Sequence, residues 1–310
     1  MNVHADYIHA SPGQPILRAI LRGAMWLLFR GLIRPSVPIA IQRAVLRLLT
    51  AGMPVGRGVQ RSAELIAERP CEWHRIEGGE GKVMLYLHGG AYLIGSPATH
   101  RSLAAGLARA CKRDLCVLDY RLAPEHPYPA ARDDAVAAYR ALLTRGYRPC
   151  DIVLAGDSAG GHLALITALE LAAQGLPTPG ALVCFSPVVD FTGEQLHMPE
   201  AGDPLLNRSW IEQAADLFPP PGMDRRDPGL SPINGALEVL PPLLIQVGED
   251  ELLLNDSLRL AERARAAAVP VQLERYPGCW HVFQANVGIL RVADLALERV
   301  GAFLNQSDRG

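Results

Sequence analysis

From residue 83 onward the chain alternates between two textures. Val83–Leu87, Leu115–Leu118, Ile152–Ala155, Ala181–Phe185 and Leu243–Val247 are short runs of almost unbroken apolar residues. That is how a strand buried on both faces reads. Val271–Tyr276 is a further strand. Between these runs, residues 103–110, 133–145, 160–174, 256–268 and about 285–305 repeat their apolar positions at helical spacing. Two short antiparallel strands near 64–68 and 71–76 come first, followed by the turn Gly78-Gly79-Glu80-Gly81. The alternation predicts an α/β fold with a mostly parallel, eight-stranded sheet covered by helices on both faces.

Two stretches depart from this rhythm. Residues 15–34 and 38–50 read as helices separated by Pro35-Ser36-Val37-Pro38, with a Gly- and Pro-containing linker over 51–58 and no strand signal before residue 59. Residues 190–240 also lack a strand signal, are rich in proline, and contain one helical stretch at 208–218. An insertion of that size between core strands reads as a functional lid. The expected organisation is therefore N-terminal cap helices over 1–55 and a main α/β domain over 56–310, with a cap or lid insertion at about 190–235.

Composition narrows the picture. The 310 residues are 49% hydrophobic and 20% charged, with net charge −2 and no basic patch, which speaks against nucleic acid as a partner. Six cysteines without C-x-x-C spacing suggest reduced thiols in a cytoplasmic protein, and no His/Asp/Glu cluster has metal-ligand spacing. No basic region precedes the first apolar stretch, as a secretory signal would require. Ile16–Ile33 carries Arg18, Arg22 and Arg30, too many charges for a membrane span. It reads instead as an amphipathic helix packed on the protein, with contact to a membrane surface as the second reading.

The candidate chemistry centres on Gly156-Asp157-Ser158-Ala159-Gly160, where a buried strand runs into a helix. G-x-S-x-G in that context is a nucleophile elbow, although a Gly-rich nucleotide-binding turn can show the same pentapeptide. The sharp turn requires residues without Cβ two before and two after the serine. It also aims the Ala159 N–H at any oxyanion formed on Ser158.

Such a serine needs a base, an orienting acid and further oxyanion donors. Downstream, His197 falls in the insertion and His281 in a loop just after a strand, which favours His281 as the base. The acid should leave the preceding strand, where Glu249-Asp250-Glu251 offers three carboxylates, the choice lying between Asp250 and Glu251. Upstream, His88-Gly89-Gly90 follows a buried strand directly, so the Gly89 and Gly90 N–H groups can join that of Ala159.

Taken together, His88-Gly89-Gly90-Ala91-Tyr92, the stretch Asp119-Tyr120-Arg121-Leu122-Ala123-Pro124-Glu125-His126-Pro127 and Gly156-Asp157-Ser158-Ala159-Gly160-Gly161 resemble the hormone-sensitive-lipase-like bacterial carboxylesterases of the α/β-hydrolase superfamily. The resemblance covers about residues 60–305. It implies a serine carboxylesterase acting on short- to medium-chain esters, with Ser158 as nucleophile, His281 as base and an oxyanion hole of Gly89, Gly90 and Ala159. The acid loop departs from the family's common Asp form; the register of Glu251-Leu252-Leu253-Leu254-Asn255 makes Glu251 the acid, with Asp250 the alternative. His88, Arg121, Glu125 and Asp157 become groups that hold loops near the site. No cofactor is implied.

An amidase or peptidase on the same fold and a non-catalytic ligand-binding member are the competing readings; the latter would be expected to lack the base. The family also suggests a homodimer through the sheet edge at Val271–Tyr276. Trp26, Phe29, Trp210, Leu217 and Phe218 are candidates either for an apolar substrate lining or for packing the cap.

Overall fold

The computed structural model describes residues 4–8, 13–79 and 81–308. In chain order its elements are β1 (His4–Ile8), α1 (Pro15–Leu32), α2 (Ile39–Thr50), β2 (Gln60–Ile66), β3 (Arg69–Arg75), β4 (Val83–Leu87), α3 (Arg101–Cys111), β5 (Asp114–Leu118), α4 (Ala130–Thr144), β6 (Ile152–Asp157), α5 (Ala159–Ala173), β7 (Ala181–Phe185), α6 (Arg208–Leu217), β8 (Leu243–Gly248), α7 (Leu254–Ala266), β9 (Val271–Tyr276) and α8 (Arg291–Ser307). The strands form one sheet in the order β1-β9-β8-β7-β6-β4-β5-β3-β2. Only the β2–β3 and β3–β5 pairings are antiparallel. Strands β4 to β8 are buried at every position, as their unbroken apolar runs require.

The sheet has nine strands among the described residues, not eight. The additional strand is β1, which pairs in parallel with β9 from His4↔Val271 to Ile8↔Arg275. Five residues with His and Asp at alternate positions form a strand that has a neighbour on one side only, and so small a pattern does not stand out in the sequence. Arg265 binds Asp6 at 3.1 Å, and the Arg299 guanidinium lies over the Tyr7 ring at 4.6 Å. The outer edge of β9, expected to be open for pairing with a second copy, is thereby occupied.

Two apolar layers sandwich the sheet. Leu163 and Leu165 of α5, Ala135 and Leu142 of α4 and Leu260 of α7 pack on one face. Leu103 and Leu107 of α3, with Val300 and Leu304 of α8, pack on the other. The helix expected over 285–305 is divided: a 3-10 turn at Phe283–Asn286 ends near Gly288 (φ +77°), whose N–H donates to Asp294 Oδ1 at 2.7 Å before α8 begins. Both interruptions of the alternation lie at one end of the sheet, where Leu21, Met25 and Phe29 of α1, Leu46 and Leu49 of α2 and Trp210 of α6 wall a cavity beside Ser158.

Candidate active site

Ser158 sits where β6 meets α5, at φ 54° and ψ −119°, outside the regions an L-residue favours. A Cβ on Gly160 would lie 1.9 Å from the Leu87 carbonyl oxygen, and one on Gly156 only 2.3 Å from the Gly160 oxygen. Both glycines are therefore obligatory for the turn. The Ser158 N–H donates to the Phe185 carbonyl at 2.8 Å, which holds the serine against β7. Its side chain reaches the floor of a cavity of about 310 Å³.

The loop after β4 is held from beneath. Asp157 Oδ1 accepts the Gly89 N–H at 3.0 Å and the Tyr86 hydroxyl at 2.6 Å. Gly89 has no room for a side chain, since a Cβ there would fall 2.1 Å from Asp157 Oδ2. Burial would raise the Asp157 pKa, but His100, the Tyr86 hydroxyl and His88 outweigh it and keep the carboxyl below its ordinary value. Gly90 takes φ +118°, and Ala91 and Tyr92 follow at φ 54° and 62°. Among the described residues no acceptor takes the N–H of Gly90, Ala91 or Ala159. The Gly90 and Ala91 N–H groups of this loop and that of Ala159 at the start of α5 thus remain available as donors, while Gly89, expected to be one, has its N–H committed to Asp157.

His88 lies under the same loop. Its ring stacks on Tyr120 at 4.3 Å, its Nδ1 lies 2.9 Å from the Gly89 carbonyl, and the Tyr120 hydroxyl donates to its own carbonyl at 2.5 Å. Burial, with the neighbouring His100, pushes its pKa down to about 3, so it is a neutral ring that shapes the loop. Arg121 forks onto Asp134, and Glu125 receives Arg43 of α2 at 2.8 Å. Both act at a distance from Ser158, as structural clamps.

His281 stands in the loop after β9 and lines the same cavity as Ser158, Gly89 and Gly90. Its Nδ1 is 3.1 Å from Glu251 Oε1. The other oxygen of Glu251 accepts the Ser186 hydroxyl at 2.8 Å and the Gly248 N–H at 2.9 Å. A carboxylate oxygen only accepts, so the imidazole proton resides on Nδ1 and leaves Nε2 as the basic nitrogen. Burial lowers the His281 pKa, but the hydrogen bond and charge of Glu251, helped by Asp203 and Asp157, overcome that and raise it. Glu251 is wholly buried, whereas Asp250 is partly exposed and paired with Arg22 of α1 at 3.1 Å. Only Glu251 of the two faces the imidazole. His197 enters through its backbone, donating to the Leu252 carbonyl at 2.8 Å.

Three supporting residues were not found by sequence reasoning. Ser186 clamps the carboxylate of Glu251. Asp203, in the insertion, accepts the Leu252 N–H at 3.0 Å and the Leu205 and Leu206 N–H groups. Arg22 ties α1 to Asp250 and to the Ala201 carbonyl at 2.6 Å. Nothing local marks Ser186, but a Ser directly after a buried strand beside the elbow strand is a usable signal.

Ala159 lies with Ser158 on a second, smaller space of about 50 Å³ bounded by Tyr92, Phe191 and Trp210. Phe29 and Trp210 line the large cavity, Trp26 faces outward, and Phe218 stacks on Tyr92 at 3.6 Å within the core. Leu217 packs against that core.

Residues 84–285 match the family model described as "alpha/beta hydrolase fold". The chain is similar to an acetyl-hydrolase of Streptomyces hygroscopicus, at 38% identity over 297 residues covering 95% of this chain and 97% of the relative. It is 35% identical over 268 residues to an esterase of Acinetobacter venetianus, covering 86% of this chain and 88% of the other. Among solved structures, an esterase from the bacterial hormone-sensitive lipase family superposes with a TM-score of 0.88 at 36% identity, covering 96% of this chain and 99% of that one.

Proposed function

The chain belongs to the α/β-hydrolase family, in its hormone-sensitive-lipase-like esterase branch, and on that footing we propose that it hydrolyses carboxylic esters through a triad of Ser158, His281 and Glu251. The observation that carries the triad is the buried His281–Glu251 contact in a loop that shares the Ser158 cavity. His281 Nε2 takes the Ser158 proton as the hydroxyl attacks the ester carbonyl, and the imidazolium formed is held by the Glu251 charge. Alcohol leaves with that proton. Water, deprotonated by the same nitrogen, then releases the acid and restores the serine.

The oxyanion lies against the Gly90 and Ala159 N–H groups in this reading, with Ala91 replacing Gly89 as the third donor, because Asp157 already binds the Gly89 N–H. Gly89 contributes the absence of a side chain. Helices α1 and α2 and the insertion around α6 serve as the cap. A cavity of about 310 Å³ is at the small end of ligand sites, which run from roughly 300 Å³ upward, and suits short- to medium-chain esters. Six free cysteines, five of them buried, fit a reducing, cytoplasmic setting. No helix among the described residues is long and apolar enough to cross a membrane. With β1 on the edge of β9, a homodimer would have to use another surface.

The test is hydrolysis of p-nitrophenyl esters from acetate to palmitate by the wild type and Ser158→Ala. The proposal expects turnover that is strongest on the shorter chains and absent in the variant. Turnover retained by Ser158→Ala would exclude the serine mechanism, and cleavage of p-nitroanilides in preference to esters would shift the assignment to an amidase.

A further inference from the structure

Helix α1 is apolar on two sides. Leu21, Met25 and Leu28 face the cavity, while Ile16, Ile20 and Leu27 form a stripe on the opposite side, at i, i+4 and i+11. No residue of α1 is fully buried, and Ile16, Ile20 and Leu27 are 77%, 62% and 68% exposed. Trp26 flanks the stripe at 53% exposure, and on α2 Leu48 is exposed as well. A helix that is apolar all round is ordinarily covered on all sides. Here the outer side is open.

Charge indicates what would cover it. From residue 15 to residue 57 there are seven arginines and not one Asp or Glu, although the whole chain is net −2. Arg22 and Arg43 are engaged with Asp250 and Glu125. Arg30, Arg34 and Arg47 are exposed and make no ion pair among the described residues. A second copy docking through this face would set the exposed Arg30, Arg34 and Arg47 of each copy against one another, which like-charge repulsion opposes. Aliphatic side chains and a tryptophan bordered by arginines match the boundary of an anionic bilayer, where the ring lies among headgroups and the guanidinium groups meet phosphates.

We propose that the outer face of α1, with the arginines that flank it, docks the protein on anionic phospholipid surfaces. The inner face of the same helix walls the cavity, so docking would set one wall of the site one helix thickness from the lipid boundary. The binding itself does not depend on the esterase reading.

The test adds vesicles of equal parts phosphatidylglycerol and phosphatidylcholine to the full chain and measures co-sedimentation and tryptophan emission. Of the four tryptophans, Trp73, Trp210 and Trp280 are buried, so a blue shift reports on Trp26. Expected are binding to these vesicles, little to phosphatidylcholine alone, and weakening at high salt. Removing Arg30 or Arg34 should each cost about fivefold. The double variant Ile20→Asp/Leu27→Asp should lose binding by at least about tenfold. Neither of its substituted residues lines the cavity, so hydrolysis of dissolved p-nitrophenyl butyrate should be unchanged, which also shows that the variant is folded. Absence of wild-type binding, or binding undiminished in the double variant, would overturn the proposal. So would a wild-type dimer in vesicle-free solution that the double variant converts to monomer, since the face would then belong to a second copy. Loss of ester turnover by the wild type would bear on the catalytic assignment and leave the sedimentation result intact.

Discussion

Replacing Glu251 by Gln tests how tightly the proposed triad acid is specified. One of its oxygens accepts two donors, the Ser186 hydroxyl and the Gly248 N–H. The hydroxyl can rotate and become an acceptor, but the backbone N–H cannot. A glutamine in the same place must therefore keep its oxygen towards Gly248 and turn its NH₂ towards His281 Nδ1. That forces the imidazole into the tautomer with the proton on Nε2, which cannot accept one from Ser158. The same change of tautomer in a serine triad costs on the order of 10⁴ in kcat. Asp250→Asn removes only a partly exposed pairing with Arg22, worth about 1 kcal/mol or less, and should change the rate by under about fivefold.

Steady-state hydrolysis of p-nitrophenyl butyrate, with a thermal melt to confirm folding, reads both variants. The pH profile adds a second readout. In the proposed triad His281 works as a base when neutral, and its raised pKa would place the acid limb of kcat/KM above the usual histidine position. With the Glu251 charge gone, burial is less opposed and the limb should move to lower pH. A Glu251→Gln enzyme retaining more than about a tenth of wild-type kcat would refute this reasoning, as would Asp250→Asn being the more damaged variant.

Other consequences can be measured directly. Burial lifts the Asp256 carboxyl to about 7, so it binds its proton more tightly folded than unfolded; its stabilising contribution is full in acid and is lost as pH rises towards 7. Asp256→Asn keeps an acceptor for the Val189 N–H and should gain stability over the wild type increasingly between about pH 4 and 7, by up to about 4 kcal/mol, read as a rise in Tm; no gain above neutral pH would contradict it. Glu72 shows the opposite sign: burial raises its pKa, yet His74 and Arg101 draw it down to about 2, so its contribution is present above the unfolded value and disappears as pH falls to about 2. Melts of Glu72→Gln should therefore be destabilised relative to wild type near neutral pH and converge with it in strong acid. Gly90→Ala would place a Cβ 2.2 Å from the Ile94 carbonyl oxygen at φ +118°, displacing a proposed oxyanion donor. A fall in kcat of about 10²–10³ is expected, and kinetics equal to wild type would remove Gly90 from the hole.

Much of this architecture could be read from the chain because buried parallel strands declare themselves as apolar runs. Val83–Leu87, Ala181–Phe185 and Val271–Tyr276 form at the expected residues. Strand β1 was not legible, because five residues are too few to declare a period and their register is set by pairing with β9. The elbow could be read from spacing alone, since the steric demand on Gly156 and Gly160 is local. The partners of Asp157 were not, for they join residues far apart in sequence: which N–H of the oxyanion loop it captures depends on the path of the chain between β4 and β6. Asp203 was hidden for the same reason, its partner Leu252 being 49 positions away.

The left-handed backbone at Ser158 carries a further implication for anyone selecting variants of this protein. A residue with a side chain held at φ 54° and ψ −119° costs the folded state roughly 1–3 kcal/mol, and glycine adopts such angles with far less strain. Ser158→Gly should therefore melt at a higher temperature than the wild type while lacking the proposed nucleophile. A library screened for heat resistance alone would enrich this variant, and on the proposed mechanism only a screen that also scores turnover would keep the serine in place.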